Sequence, residues 1–209
     1  MRISNFVKLL TCAAALQLGA GAAMADDTKS PWQVRVRLID VVPDESSTTS
    51  IGGQANVDNS LVPELDISYY WTKNWSTELI LATSKHNVTA TGTALGDLSL
   101  GDTWALPPTM LMQYHFNADG TMRPYLGAGV NYTFFYNADA GDVDSIDYEN
   151  GFGLALQAGV DIDVTDEWFL NLDVKKLWLN TDVSINGGAV TADVDLDPWV
   201  LGVGFGYRF

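Results

Sequence analysis

The chain has 209 residues, of which 11 are Lys or Arg and 26 are Asp or Glu, giving a formal net charge of −15. This length predicts one domain, and the negative charge argues against a broad nucleic-acid surface because phosphate binding needs a basic stripe. No run of about 18 or more apolar residues occurs, so a helical membrane span is not expected.

The first residues have the pattern of an export signal. Arg2 and Lys8 precede an alanine-rich apolar stretch, and Ala23-Met24-Ala25 places small residues at both positions that a signal peptidase reads. We therefore predict a cleaved signal peptide over residues 1–25 and a mature domain over residues 26–209. The alternative is an amphipathic first helix of the mature fold.

The single cysteine of the chain, Cys12, lies inside this predicted signal. The mature chain would therefore contain no cysteine. A disulfide framework, thiolate catalysis and cysteine-bound zinc are all excluded by this count.

Apolar residues alternate with polar or small residues along the mature chain, most clearly at its end. One face carries Trp199, Leu201, Val203, Phe205, Tyr207 and Phe209, and the other carries Gly202, Gly204, Gly206 and Arg208. A period of two indicates a strand. The same alternation recurs over residues 32–39, 64–71, 77–84, 109–116, 126–134, 152–163 and 168–175, so we predict eight strands.

The predicted connections alternate in length. Short ones span residues 72–74, 117–122 and 165–167, and longer polar ones span residues 43–60, 86–103, 137–147 and 184–191. Short turns at one end and long loops at the other are typical of an up-and-down barrel in an outer membrane. At ~3.3 Å per residue and a tilt of ~40°, ten residues climb about 25 Å, which matches the apolar band of such barrels.

Aromatic residues near the short turns favour lipid rather than water outside the barrel. They are Trp71, Trp75, Tyr114, Phe116, Trp168, Tyr207 and Phe209, and they predict an aromatic girdle at one membrane interface. The predicted fold is therefore all-β, an eight-stranded antiparallel up-and-down transmembrane β-barrel. A soluble sandwich is the alternative.

The seventh strand contains a break in this pattern. If Val174 faces lipid, continued alternation sends Lys176 outward and both Leu177 and Leu179 inward. We expect a bulge near Lys175 and Lys176 that returns the two leucines to the lipid side. The alternative is that the strand has already risen above the bilayer there.

Three segments carry a resemblance to a known family. They are Leu106-Pro107-Pro108-Thr109, the run from Arg123 to Thr133, and the run from Leu196 to Phe209. Together they resemble the OmpW family of outer-membrane proteins, over essentially the whole mature chain. The resemblance implies an eight-stranded barrel in the outer membrane of a Gram-negative bacterium, in contact with its lipids and associated with passage of small hydrophobic molecules, as in alkane-uptake proteins.

The resemblance also implies roles for individual residues. Phe205, Tyr207 and Phe209 look like the signal that the barrel-assembly machinery reads. Ile80 is similar in position to a leucine that narrows the channel of a family member, whereas Lys175 stands where that member has a tryptophan. A hydrophobic gate at Lys175 is therefore not implied.

Strand parity places charged side chains of both signs inside the barrel. The basic ones are Arg35, Arg37, Arg123, Lys175 and Arg208, and the acidic ones are Glu64, Asp66, Glu78, Asp161, Asp163 and Asp173. Because an isolated buried ion is very costly, we expect these groups to pair. The interior of an eight-stranded barrel is just wide enough for side chains to fill, so the pairs predict a plug; a proton or ion relay is the alternative.

Apolar residues towards the long loops predict a hydrophobic mouth above this plug. They are Ile39, Trp104, Leu106, Leu111, Phe135 and Leu196; the resemblance given above adds Ile80 to the predicted channel lining. A concave apolar surface with few polar groups suits a small hydrophobic ligand. Such a molecule would enter from outside, meet the plug and leave sideways into the lipid.

Catalytic and metal-binding patterns are weak, and we expect neither an enzyme nor a cofactor. His86 and His115 lie on different predicted elements without Ser-His-Asp or metal-ligand spacing; we read His115 as a hydrogen-bonding group in the lumen. The third long loop carries Asp139, Asp142, Asp144, Asp147 and Glu149. We read it as a solvated loop, with divalent-cation binding as the alternative.

The leading hypothesis is a passive conduit for small hydrophobic molecules. One rival is a structural or interaction protein whose loops contact surface lipid or a phage. The other is a narrow cation-preferring channel driven by the acidic charge.

Overall fold

The computed structural model describes residues 30–49, 52–94 and 96–209, and the predicted signal peptide with Cys12 lies outside these ranges. The strands are β1 Trp32–Val42, β2 Ser46–Thr49, β3 Gln54–Val57, β4 Ser60–Tyr70, β5 Trp75–Ala82, β6 Ser84–Thr93, β7 Gly96–Leu106, β8 Thr109–His115, β9 Met122–Asp139, β10 Ile146–Tyr148, β11 Gly151–Asp163, β12 Trp168–Trp178, β13 Asn180–Ile185, β14 Val190–Asp195 and β15 Trp199–Arg208. One 3₁₀ turn, Asn186–Gly188, joins β13 to β14. No helix within the described ranges is long and apolar enough to cross a membrane.

Eight of these strands form a closed barrel. Its order is β1, β4, β5, β8, β9, β11, β12 and β15, each antiparallel to its neighbours, and β15 pairs back onto β1. The prediction of an eight-stranded antiparallel up-and-down barrel is confirmed.

The outside of this barrel is apolar over a band bounded by aromatic rings. Trp75, Tyr114 and Phe116 make successive edge-to-face contacts at the short-turn end, with ring centroids 5.0 and 4.9 Å apart. At the other edge, Phe152 and Trp178 are exposed. An apolar surface between two girdles of aromatic residues is characteristic of a transmembrane barrel.

A charge in the middle of this band is expected to destabilise the barrel. Leu172 lies on the outer face of β12, between Trp168 and Trp178, and is half exposed. We expect Leu172→Arg to lower the free energy of unfolding in lipid by about 2–4 kcal/mol, because the guanidinium would face hydrocarbon. Denaturant unfolding in lipid vesicles would measure this. Val164→Arg, in the exposed short turn before β12, is the matched control, and an equal loss in both variants would contradict the placement of the band.

Above the membrane band the chain continues as sheet where long polar loops were predicted. The β6–β7 hairpin pairs with β3 on one side and with the upper part of β9 on the other. Across the barrel mouth, β10, β13, β14 and β2 form a four-stranded sheet. These two extensions build walls that rise from the barrel rim.

The polarity of the wall reverses at the rim. Within the band, apolar side chains face outward and charged ones inward. In β6, by contrast, Val88 and Ala90 are buried inside while Asn87 and Thr89 are exposed. Water now lies outside the wall, so the apolar residues turn to the interior.

The expected bulge near Lys175 and Lys176 is wrong. Lys175 pairs with Gln157 and Leu177 with Ala155 without a shift of register. Both Leu177 and Leu179 are buried on the inner face. The strand has left the bilayer at this height, so the leucines line the interior and no bulge is needed to return them to lipid.

Candidate functional site

An apolar cavity lies between the two extensions and the barrel rim. Its volume is about 170 Å³, which is similar to the roughly 150 Å³ of an engineered apolar cavity that holds benzene. Aliphatic side chains dominate its wall, among them Val88, Ala90, Val183, Ile185, Val190 and Val194. The cavity is therefore suited to a small hydrocarbon group.

The floor of the cavity is a compact apolar layer. Ile39, Ile80 and Leu111 pack there with Ala155, Leu177 and Val200, and all six are buried. Ile39 and Ile80 line the cavity, and Leu111 belongs to the same buried layer. Ile39 and Leu111 were predicted for the mouth and Ile80 for the channel lining, and the structure brings the three together.

The remaining predicted mouth residues divide into two pairs. Phe135 and Leu196 line the cavity. Trp104 and Leu106 do not, because Thr103 and Ala105 take the inward positions of β7. Trp104 instead stacks on Tyr136 on the opposite face, with ring centroids 6.1 Å apart.

Below the floor, two arginines hold the centre of an ion-pair network. Arg35 lies 3.2 Å from Asp66, 2.8 Å from Glu78 and 3.1 Å from Asp161. Arg37 lies 2.7 Å from Glu64, 2.7 Å from Asp66, 3.3 Å from Glu78 and 3.2 Å from Asp173. All these side chains are almost completely buried, so the network fills the lumen beneath the cavity.

Two glycines of β15 leave room for these arginines. Gly204 pairs with Arg37 and Gly206 with Arg35. A Cβ atom on Gly204 would lie 2.8 Å from Arg37 Cγ, and one on Gly206 would lie 2.9 Å from Arg35 Cγ. A Cβ atom would lie closer still to the Val36 backbone oxygen at Gly204 and to Phe169 Cζ at Gly206, so both positions require glycine for close packing around the arginine stems.

The network extends upward and downward from this centre. At the top, Lys175 Nζ lies 2.9 Å from Glu64 and 2.7 Å from Asp173, and Lys175 also borders the cavity. At the bottom, Arg123 pairs with Asp163, and Arg208 lies 3.5 Å from the same carboxylate. Lys175 is thus held by two acids.

His115 lies in the same lumen on the short-turn side of the network. Its Nε2 is 3.0 Å from Ser76 Oγ and 3.3 Å from Tyr70 Oη. It is fully buried. It acts as a hydrogen-bonding group between neighbouring strands, and its hydrogen bonds to the described residues include no carboxylate of the kind that orients the histidine of a catalytic triad.

His86 contributes a polar but uncharged spot on the cavity wall. Its Nδ1 donates to the carbonyl oxygen of Asp58 over 2.7 Å, and its Nε2 lies 2.9 Å from Ser84 Oγ. Burial lowers the pKa of the imidazole below its ordinary value. The ring is therefore neutral at neutral pH, with Nε2 accepting from the serine, and the cavity stays free of unpaired charge.

The acids predicted for the third long loop do not gather into a site. Asp142 accepts a hydrogen bond from the Ser99 backbone N–H over 2.9 Å. Asp139, Asp144, Asp147 and Glu149 are exposed. Across the described parts of the chain, no group of three or more His, Cys, Asp or Glu side chains could hold a metal ion.

The sequence reasoning missed most of the upper cavity wall. Val88 with Ala90, and Val183 with Ile185, lie in segments that were read as loops or left unassigned. The available signal was a short period-two pattern, with apolar residues separated by Thr89 and Ser184 respectively. Such a pattern predicts a strand once the chain is taken to continue as sheet above the membrane.

Comparison with known proteins agrees with this architecture. The outer-membrane protein y4mB of Sinorhizobium fredii is 39% identical over 228 residues, covering 98% of this chain and 99% of its own. The dibenzothiophene metabolism operon protein PahQ of Pseudomonas aeruginosa is 32% identical, covering 87% of this chain and 90% of its own. The crystal structure of the outer membrane protein OprG from Pseudomonas aeruginosa superposes with a TM-score of 0.81 at 32% identity, covering 87% of this chain and 97% of that chain.

The sequence profile of the OmpW family matches residues 29–209, which include every strand of the barrel and of its extensions. This protein is therefore located in the outer membrane of a Gram-negative bacterium, in contact with its lipids. A match of this extent, together with the closed barrel and the similarity to OprG, means that the chain belongs to the OmpW family.

Proposed function

We propose that this barrel takes up small hydrophobic molecules in its apolar cavity and lets them pass passively into the outer membrane. The observation that carries the proposal is an apolar cavity lying directly above a lumen filled by ion pairs. A molecule in the cavity finds no apolar continuation downward. Its route to another apolar environment is sideways.

The energetic benefit of such a route is large. Each methylene group buried away from water contributes about 0.8 kcal/mol, so ten of them amount to about 8 kcal/mol. An apolar path across the polar cell surface avoids most of that cost. The relative PahQ, named for dibenzothiophene metabolism, supports an apolar cargo because dibenzothiophene is a fused aromatic compound.

The side exit that we propose lies beside Leu179. Leu179 lines the cavity and also a groove on the outer surface. Val130, Phe152, Leu154 and Trp178 supply the apolar part of that groove. Leu179 is thus the residue that borders both compartments, where β12 gives way to β13.

Filling this position is expected to slow uptake. We expect Leu179→Trp to reduce the rate at which cells take up a labelled aromatic hydrocarbon several-fold, because the larger ring blocks the passage, whereas Leu179→Met keeps the side-chain volume and the rate. Migration of the folded barrel on a gel without heating would check assembly of both variants. Equal uptake by the tryptophan variant and the unaltered protein would rule out an exit at this place.

We propose further that Phe205, Tyr207 and Phe209 serve as the assembly signal for the barrel-assembly machinery. All three lie on the outer face of β15 or directly after it, and Tyr207 contacts Phe209 edge to face with centroids 5.0 Å apart. Their side chains take no part in the lumen network. They are therefore available to a partner that reads the strand from outside.

A second candidate function is surface binding of lipid or of a phage. It is favoured by the four-stranded extension, whose outer side exposes Asp182, Asp193 and Asp195. Shortening the turn at Asn186–Gly188 would then abolish binding while uptake of hydrophobic molecules stayed normal. Lost uptake with normal binding would favour the conduit instead.

A further inference from the structure

Two polar side chains lie unpaired in the inner wall next to the cavity floor. Asn131 and Thr133 are neighbours on the inward face of β9, and each is 1% exposed. Neither amide atom of Asn131 nor the hydroxyl of Thr133 has a hydrogen-bond partner among the residues that the structure describes. Buried polar groups nearly always have partners, so this pair points to something outside the chain.

Strand pairing fixes the height of the two residues. Asn131 pairs with Thr109 of β8, and Thr109 pairs with Ile80 of β5. Asn131 lies beside the cavity floor, one inward position above Gly129, which pairs with the floor residues Leu111 and Ala155; Thr133 lies one inward position higher and lines the cavity. The Thr109 hydroxyl already donates to the Pro107 carbonyl over 2.9 Å, so it does not satisfy Asn131.

Gly153 of β11 provides space for the amide. It pairs with Asn131 from the other side. A Cβ atom on Gly153 would lie 2.6 Å from Asn131 Oδ1 and 3.0 Å from Nδ2. Gly153 also belongs to the outer groove beside Leu179, so the amide stands between the cavity and the proposed exit.

The chemistry of the pair is neutral. An amide supplies both a donor and an acceptor, and a hydroxyl about 7 Å further along the strand supplies either. Lys175, a cation that lines the cavity, is held by Glu64 and Asp173. A ligand anion would find no free positive charge here, whereas a neutral polar group would complete the unpaired hydrogen bonds.

We propose that Asn131 and Thr133 form a headgroup site. It makes the cavity prefer hydrophobic molecules that carry one neutral hydrogen-bonding group, such as a primary alcohol, over hydrocarbons of the same length. The inference rests on the proposed function, since the cavity must first admit an apolar chain. The hydrocarbon tail then occupies the aliphatic upper wall, and the head lies at the floor.

The test compares 1-octanol with n-octane as probes. Binding of each to the full barrel in lipid nanodiscs is measured by NMR and corrected for partition into discs without protein. We expect the unaltered protein to bind the alcohol about threefold to tenfold more tightly, which is the effect of one or two hydrogen bonds. Asn131→Leu and Thr133→Val, which preserve side-chain size, should remove this preference without weakening octane binding.

Thr103→Val is the matched control. Thr103 is another buried cavity threonine with an unpaired hydroxyl, but it lies on β7, away from the Asn131 amide. We expect this variant to retain the preference for the alcohol. Should Asn131→Leu fail to assemble, the Thr133→Val and Thr103→Val pair carries the comparison alone.

The outcomes separate this inference from the proposed function. Equal affinity of the unaltered protein for both probes, or a preference that persists in Thr133→Val, overturns the headgroup site while leaving the cavity as a hydrocarbon site. Failure of both probes to bind above the level of empty discs overturns the proposed function as well.

Discussion

Replacing Arg37 with alanine is expected to lower the free energy of unfolding of the barrel by about 3–5 kcal/mol, as for other buried ion pairs that lose one partner. The guanidinium lies within 3.3 Å of four carboxylates: Glu64, Asp66, Glu78 and Asp173. Without this guanidinium the four carboxylates remain buried and lose one of the cations that balance their negative charge. Equilibrium unfolding in denaturant, followed by tryptophan fluorescence in lipid vesicles, would measure the loss.

A surface ion pair gives the control for this experiment. Lys73 lies 3.0 Å from Asp119, and both side chains are well exposed. Lys73→Ala should change the unfolding free energy by less than about 1 kcal/mol. If Arg37→Ala were as harmless as Lys73→Ala, the network would not be the plug that we describe.

Cation-selective conductance of the unaltered protein in planar bilayers would likewise favour the channel hypothesis over a plug.

Replacing Ile80 with lysine is expected to reduce uptake of hydrophobic molecules about tenfold or more. Ile80 is 3% exposed and lines the cavity floor beside Ile39 and Leu111. An ammonium group at this position remains hydrated, so the ligand loses apolar contacts with the floor. A loss equal to two methylene groups already weakens the binding free energy by about 1.6 kcal/mol. The barrel should still assemble because the flexible lysine stem can reach the acids just below. Uptake of a labelled hydrocarbon by whole cells is the measurement.

Ile80→Met separates charge from shape. Methionine nearly conserves the volume of isoleucine and stays apolar, so uptake should remain close to that of the unaltered protein. The amount of folded barrel in the outer membrane is determined for both variants. Undiminished uptake by a fully assembled Ile80→Lys protein would refute a route through the cavity.

The membrane part of the fold could be predicted from the sequence because lipid imposes one strict rule. Outward residues of a membrane strand are predominantly apolar, so the inward parity of Arg35, Asp66 and Asp161 follows directly from the alternation around them. Closure of the barrel then brings these groups together, although they are far apart in the chain. The ring of aromatics at the short turns follows from the same rule.

The upper part could not be predicted in the same way, because the rule reverses where the strands leave the bilayer. Leu177 and Leu179 continue the alternation of β12 without a break and so face inward. If the strand were still inside the bilayer there, apolar residues would have to face outward, and only a bulge could turn them. The prediction for Trp104 was wrong because no strand had been assigned around it. The sequence therefore did not show whether its side chain faces the interior or the exterior. The register also shifts between Asp102 and Trp104 where β7 pairs with β9.

Locating a bound hydrocarbon tests most directly whether the cavity is the binding site. Crystals of the protein grown with 1-bromooctane would reveal the bromine through its anomalous scattering. We expect a bromine peak inside the cavity, above the Arg35 and Arg37 network and within contact distance of the layer formed by Ile39, Ile80 and Val200. Bromine found only on the outer apolar band, or below the ion pairs, would contradict it.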